Sequence, residues 1–192
     1  MTMPPFLRAT DVMDFEHPAV AALAREVAAG RGAGHDAAIA ADCFAWVRDR
    51  IPHTVDLGGG PVPCAASEVL AAGTGFCFAK SHLLAALLHA NGIPAALCYQ
   101  RLSIDDSGPP FTLHGMVAVL LPDHGWYRCD PRGDKPGLRT AFTPPVEALA
   151  YQPKLPGEGD VPGLHADPLP QVLRALRGAN TCAELLAILP DV

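Results

Sequence analysis

The chain has 192 residues, enough for one good hydrophobic core and short for two. Hydrophobic residues make up 49% and charged residues 18%, the balance of a globular rather than a disordered chain. A formal net charge of -6 without any basic block argues against nucleic acid or an anionic membrane as partner, and no apolar run is long enough to span a bilayer.

The first residues, Met1 to Arg8, have no basic start and no apolar run of signal-peptide type, so a cytoplasmic location is expected. In that compartment the six cysteines, Cys43, Cys64, Cys77, Cys98, Cys129 and Cys182, are expected to stay reduced. They show no close pairing, so neither a disulfide framework nor a zinc ribbon is predicted, and no metal or cofactor is called for.

A first helix is predicted over residues 18 to 29, where Pro18 suits the first turn and Val20, Leu23 and Val27 recur at helical spacing before Gly30. Residues 30 to 34 form a glycine-rich joint. A second helix runs from about Asp36 to Arg50, turning Ile39, Cys43, Trp46 and Val47, with Ala40 beside them, to the core. Pro52 disfavours helix at Ile51, so Ile51 to Val55 should be extended. The glycines at 58 to 60 lack the Gly-Lys-Ser/Thr ending of a phosphate loop, and Gly73-Thr74-Gly75 lacks the third glycine of a dinucleotide fingerprint. Ser67 is placed to cap a short helix from Glu68 to Ala72.

Residues 77 to 90 are a run of good helix formers, preceded by Gly73 and Gly75 and closed by Asn91-Gly92 and Pro94. Leu83, Leu84, Leu87 and Leu88 make this helix apolar nearly all round, so it should lie in the middle of the domain. Cys77 then falls at or beside a helix N-terminus, where free N–H groups and the positive end of the dipole favour an anionic sulfur and can hold an oxyanion. A free cysteine is more commonly a small buried hydrophobe, and only its companions argue otherwise. His82, roughly 140° round the helix from Cys77, points away from the sulfur and suits a core role. Lys80 reads as a solvated or rim charge.

Ala95 to Leu102 is predicted as a strand, Ser103 to Pro110 as an acidic loop, and Thr112 to Leu121 as an inner strand covered on both faces. Gly115 within that strand implies close backbone approach next to His114. The turn that follows decides whether His114 can meet Asp130. A two-residue turn at Asp123-His124 would set Asp130 opposite Val117, on the face away from His114. A three-residue loop, Pro122-Asp123-His124, sets Leu121 opposite Gly125 and Asp130 opposite Met116, on the same face as His114 and within diagonal reach. Gly125 can supply the left-handed position such a loop needs, so the odd loop is expected. Asp134 is the reserve carboxylate should the register differ.

Beyond Asp130 the chain is proline-rich as far as Pro170 and should wrap the surface as irregular backbone, with one short helix from Val146 to Tyr151. Asp167-Pro168 is predicted to cap a helix to Arg177, and Thr181 to start a last helix to Leu189. These two helices could dock on the core or on a second subunit, which leaves a homo-oligomer open.

Gly75-Phe76-Cys77, Gly92-Ile93-Pro94-Ala95, His114, and Gly125-Trp126 followed by Asp130-Pro131 resemble the transglutaminase-like superfamily, over about residues 45 to 135. The resemblance implies an α+β, papain-like core in which N-terminal helices and a central buried helix pack on a small antiparallel sheet. It also implies a Cys77, His114 and Asp130 triad with acyl-transfer or amide-cleaving chemistry on a peptide, protein or small amide. Gly115-Met116 stands where many members have Ala-Trp, and Arg132 where Thr is usual. One domain over 1–192 is expected, with a catalytic core at about 36–135 and a proline-rich wrap with C-terminal helices at 136–192.

No glutamine precedes Cys77, so the second oxyanion donor is open, with His53 or a loop amide as substitutes. An arylamine N-acetyltransferase uses the same three residue types in the same order but needs Arg-Gly-Gly before the cysteine, where this chain has Thr74-Gly75-Phe76. A catalytically idle binding module that keeps the fold is the rival of a different class. A metal site of Cys77, His82 and His114 lacks ligand spacing.

Overall fold

The computed structural model describes residues 5–32 and 34–192. Its elements are α1 (Pro18–Val27), α2 (Asp36–Arg50), α3 (Ala66–Ala72), α4 (Cys77–Ala90), β1 (Ala95–Ser103), β2 (Phe111–Leu121), β3 (Gly125–Cys129), β4 (Gly159–Asp160), α5 (Pro170–Gly178) and α6 (Cys182–Ala187). No described helix is long and apolar enough to cross a membrane.

The centre of the molecule is α4. Every residue from Cys77 to His89 is buried, which is the outcome expected of a helix apolar on all sides. Helices α1, α2 and α3 pack on one side of it, and β1 and β2 on the other. Pro18 occupies the first turn of α1, with the His17 ring accepting from the Ala19 N–H at 3.3 Å. Along α2, Cys43, Phe44 and Val47 are sealed into the same core.

The helix before the nucleophile is capped differently from the expectation. Helix α3 begins at Ala66, ahead of Ser67, and its first turn is closed by Glu68. The Glu68 carboxylate reaches back to accept from the Cys64 N–H at 2.8 Å and the Ala65 N–H at 3.0 Å. Ser67 is left to donate its own N–H to Asp14.

The sheet is antiparallel, in the order β3-β2-β1-β4, so β2 is an inner strand as its apolar run predicts. Strand β4 comes from the proline-rich stretch and is only two residues long, too short to show any periodicity in sequence. The helix expected over 146–151 is not formed. Its backbone pairs elsewhere: the Val146 N–H donates to Thr143, Ala141 and Ala148 form a bridge, and the Ala150 N–H donates to Asp130. Helix α5 starts at Pro170 with Leu169 as its cap, later than expected, and α6 ends at Ala187. Thr181 does cap α6, accepting from the Glu184 N–H at 3.3 Å. Val172, Leu176 and Leu185 are buried in the main core, so both helices dock on this domain.

Candidate active site

The β2–β3 hairpin has the three-residue connection expected of it. Leu121 faces Gly125 and Val117 faces Cys129, which brings Asp130, one step beyond β3, to the level of Met116. Gly125 sits at φ +69°, the left-handed conformation that the odd loop requires. His114 Nε2 and Asp130 Oδ2 are consequently 2.7 Å apart. Asp130 is fully buried and also accepts from the N–H groups of Arg132, at 3.0 Å, and Ala150, at 3.1 Å.

Cys77 is the first residue of α4, preceded by Phe76 in extended conformation, so its N–H has no acceptor inside the helix. The Gly115 N–H points at the Cys77 sulfur from β2, at 3.5 Å. Burial opposes a charged imidazole on His114, but the Asp130 carboxylate and, after it, the nearby Cys77 sulfur hold its pKa well above the ordinary value. Asp130 shifts the opposite way. Burial would raise its pKa, but the His114 imidazolium and the two N–H donors keep it below the usual carboxylate range. Cys77 and His114 line a cleft of about 830 Å³, and Asp130 is buried behind the imidazole.

The sequence profile of the transglutaminase-like superfamily matches residues 21–131, more than half of the chain. The chain belongs to the transglutaminase-like superfamily. The match starts inside α1, well before residue 45, and α1 and α2 pack on α4 in the same core. In fold the chain is similar to a candidate cysteine protease from Cytophaga hutchinsonii, with TM-score 0.52 and 18% identity over 67% of this chain and 41% of that one. Weaker similarity reaches the periplasmic domain of TgpA from Pseudomonas aeruginosa, with TM-score 0.45 and 20% identity over 68% of this chain and 44% of that one. A candidate protease from Parabacteroides distasonis gives TM-score 0.44 and 14% identity over 62% of this chain and 23% of that one. The chain thus spans less than half the length of each of these structures. No curated protein matches the sequence.

Both departures from the superfamily pattern have a local cause. Phe78 fills the space next to Gly115, so a Cβ at position 115 would lie 2.9 Å from the Phe78 ring and 3.1 Å from its Cα. Arg132 is buried and forms a two-toothed ion pair with Asp56, at 2.5 and 2.8 Å, while its Nε donates to the Tyr151 hydroxyl at 3.2 Å. Tyr151 in turn sets its ring edge-on to His114, centroids 5.0 Å apart. Arg132 thereby ties three segments around the imidazole: the turn after His53, the loop after Asp130 and the wrap at Tyr151. Tyr151 carries no sequence signal, since it lies in irregular backbone with no register to the hairpin.

His82 is fully buried and pairs its Nδ1 with the Cys64 carbonyl at 2.8 Å, a core role as expected, with burial pushing its pKa down to about 4. Lys80 is not a rim charge: it is fully buried and donates to the Ile51 carbonyl, and burial followed by Arg132 lowers its pKa to about 8. Its apolar stem covers Gly75, which explains how a lysine fits a buried helix face. Asp134 accepts from the Thr140 N–H at 2.9 Å and plays no part at His114. The end of β1 and the loop after it contribute Ser103, Ile104 and Asp106 to the cleft wall.

Proposed function

We propose that the protein is a thiol-dependent acyl-transfer enzyme that opens amide bonds through a thioester on Cys77. The observation that carries this reading is the 2.7 Å contact of Asp130 with His114, on the strand whose next amide points at the Cys77 sulfur. Asp130 holds the imidazole by Nε2, which leaves Nδ1 for the sulfur. The raised pKa of His114 supports an imidazolium beside Cys77, the protonation state from which a thiolate attacks.

Sulfur bonds to the carbonyl carbon while the π pair moves to oxygen, and the Cys77 N–H at the open end of α4 donates to that oxyanion. Collapse breaks the C–N bond, and the imidazolium gives its proton to the leaving amine. Water or a second amine then attacks the thioester, His114 takes the proton, and the sulfur leaves. Resolution by water makes the enzyme a peptidase, amidase or deamidase, and resolution by an amine makes it a transamidating enzyme. The cleft of about 830 Å³ is large enough for a peptide, a protein side chain or a small amide. All six thiols are free and buried.

Alkylation with iodoacetamide at pH 6 tests the reading against an idle binding module. An active pair makes Cys77 react far faster than the other five cysteines, and His114→Ala removes the difference. Equal, slow reaction at all six would end the enzymatic proposal.

A further inference from the structure

Acyl transfer at Cys77 needs a second donor for the oxyanion besides the helix-end amide, and the groups around the sulfur narrow the choice. The Gly115 N–H is directed at the sulfur itself. The Arg132 guanidinium is spent on Asp56 and Tyr151. Lys135, Gln152 and Lys154 are exposed, on loops of the outer wall.

His53 is different. It is buried, yet it lines the cleft together with Cys77 and His114. It bridges in parallel to Gly75, two residues before the nucleophile, and its ring packs on Phe76, centroids 5.2 Å apart. Its Nδ1 accepts from the Val55 N–H at 3.3 Å, so in the neutral ring the proton is on Nε2. Nε2 has no hydrogen-bond partner among the described residues and is not sealed from solvent, and the residue lines the cleft. The ring is held firmly. The Thr54 N–H donates to Gly75, the Thr54 and Thr74 hydroxyls bond at 3.1 Å, and Asp56 is pinned by Arg132. Burial, then the nearby Arg132 charge, pushes the His53 pKa down to about 3, so the ring stays neutral with one N–H to give.

We infer that His53 Nε2–H is the second oxyanion donor, opposite the Cys77 N–H, a reading that rests on the proposed acyl transfer. His53 exchanges no proton in the reaction. It donates a hydrogen bond to the carbonyl oxygen as the C–S bond forms and the oxygen gains its pair, and releases it when the carbonyl reforms.

Two probes of Cys77 separate this role from a structural one. p-Nitrophenyl acetate acylates the sulfur through a tetrahedral oxyanion and releases nitrophenolate, whereas iodoacetamide is displaced at a saturated carbon and makes no oxyanion. In the full chain, His53→Phe should slow the nitrophenolate burst by on the order of 10²-fold. His53→Gln, which keeps an amide N–H, should recover much of it, and Cys77 alkylation should be the same in all three proteins. Alkylation falling in step with acylation would assign His53 to holding the site, and an unchanged burst in His53→Phe would remove it from the chemistry; either overturns the inference. A parent protein that alkylates at Cys77 but is never acylated overturns it as well, and one that does neither fails the enzymatic proposal itself.

Discussion

Gly115 on β2 lies directly against Phe78 on α4, so close that a side chain at 115 would meet the Phe78 ring at 2.9 Å and its backbone at 3.1 and 3.3 Å. Two of those three contacts are backbone, and no rotamer change of Phe78 relieves them. Gly115→Ala must therefore push β2 away from the tip of α4 and carry the Gly115 N–H off the Cys77 sulfur. The expected cost is about 1–3 kcal/mol in denaturant unfolding, accompanied by slower alkylation of Cys77. Full retention of both would show that the strand has slack there.

Asp130 and His114 share a charge that depends on both being buried together. Asp130→Asn removes the main partner of the imidazolium while the burial that opposes charge remains, so the His114 pKa should drop, as read from its ring resonances in an NMR titration. Acyl transfer should fall by on the order of 10²–10⁴-fold. His114, raised on folding, stabilises below its unfolded value near pH 6.5 and loses that contribution as pH rises through its folded pKa. Asp130, lowered on folding, stabilises above its unfolded value near pH 3.8 and loses that contribution as pH falls through its folded pKa. The parent should exceed the variant in stability most clearly between those two values, and a difference that does not vary with pH would contradict the pairing.

Arg132 and Asp56 are joined across 76 residues of sequence by a bidentate pair, the arginine buried and the aspartate partly open. Arg132→Thr, the residue usual in the superfamily, should lower stability by about 1–3 kcal/mol, since it also frees the Tyr151 hydroxyl. In a double-mutant cycle with Asp56→Asn the two changes should be non-additive. Additivity to within about 0.5 kcal/mol would mean that the pair holds nothing. Arg132→Lys should not restore the parent, because an ammonium cannot match both carboxylate oxygens.

His82 is buried as the neutral ring, its pKa about 4 in the fold. On unfolding it takes up a proton at the ordinary value near 6.5, so it contributes a loss of stability as pH falls from about 6.5 toward 4. His82→Asn keeps a donor for the Cys64 carbonyl and has nothing to protonate. The variant should lose on the order of 2 kcal/mol less stability than the parent between pH 7 and 4.5. Parallel curves for the two proteins would place the acid sensitivity elsewhere, with His53 the next group to test.

Much of the local structure could be read from residues a few positions apart. The helix over 36–50 follows from apolar spacing and its proline stop, and the register that joins His114 to Asp130 follows from loop parity and one glycine. The failures share a cause. Lys80 looked solvated because charge alone suggests it, but its environment depends on how α4 meets the chain at Ile51 and Gly133. The segment 146–151 has helix formers, yet the Ala150 N–H donates to the Asp130 carboxylate and the Ala148 carbonyl accepts from the Ala141 N–H, and those bonds replace the helical ones.

Caps, hydrophobic period and strand alternation act over a few residues, and by themselves they determine a central helix that begins at Cys77 and a hairpin that turns His114 and Asp130 to one face. Contacts between distant segments decide the rest: the opening of His53 to the cleft, the clamp of Arg132 on Asp56, and Tyr151 against the imidazole. A loop's path is set by the net free energy of many weak long-range contacts, and no short stretch of chain carries that information.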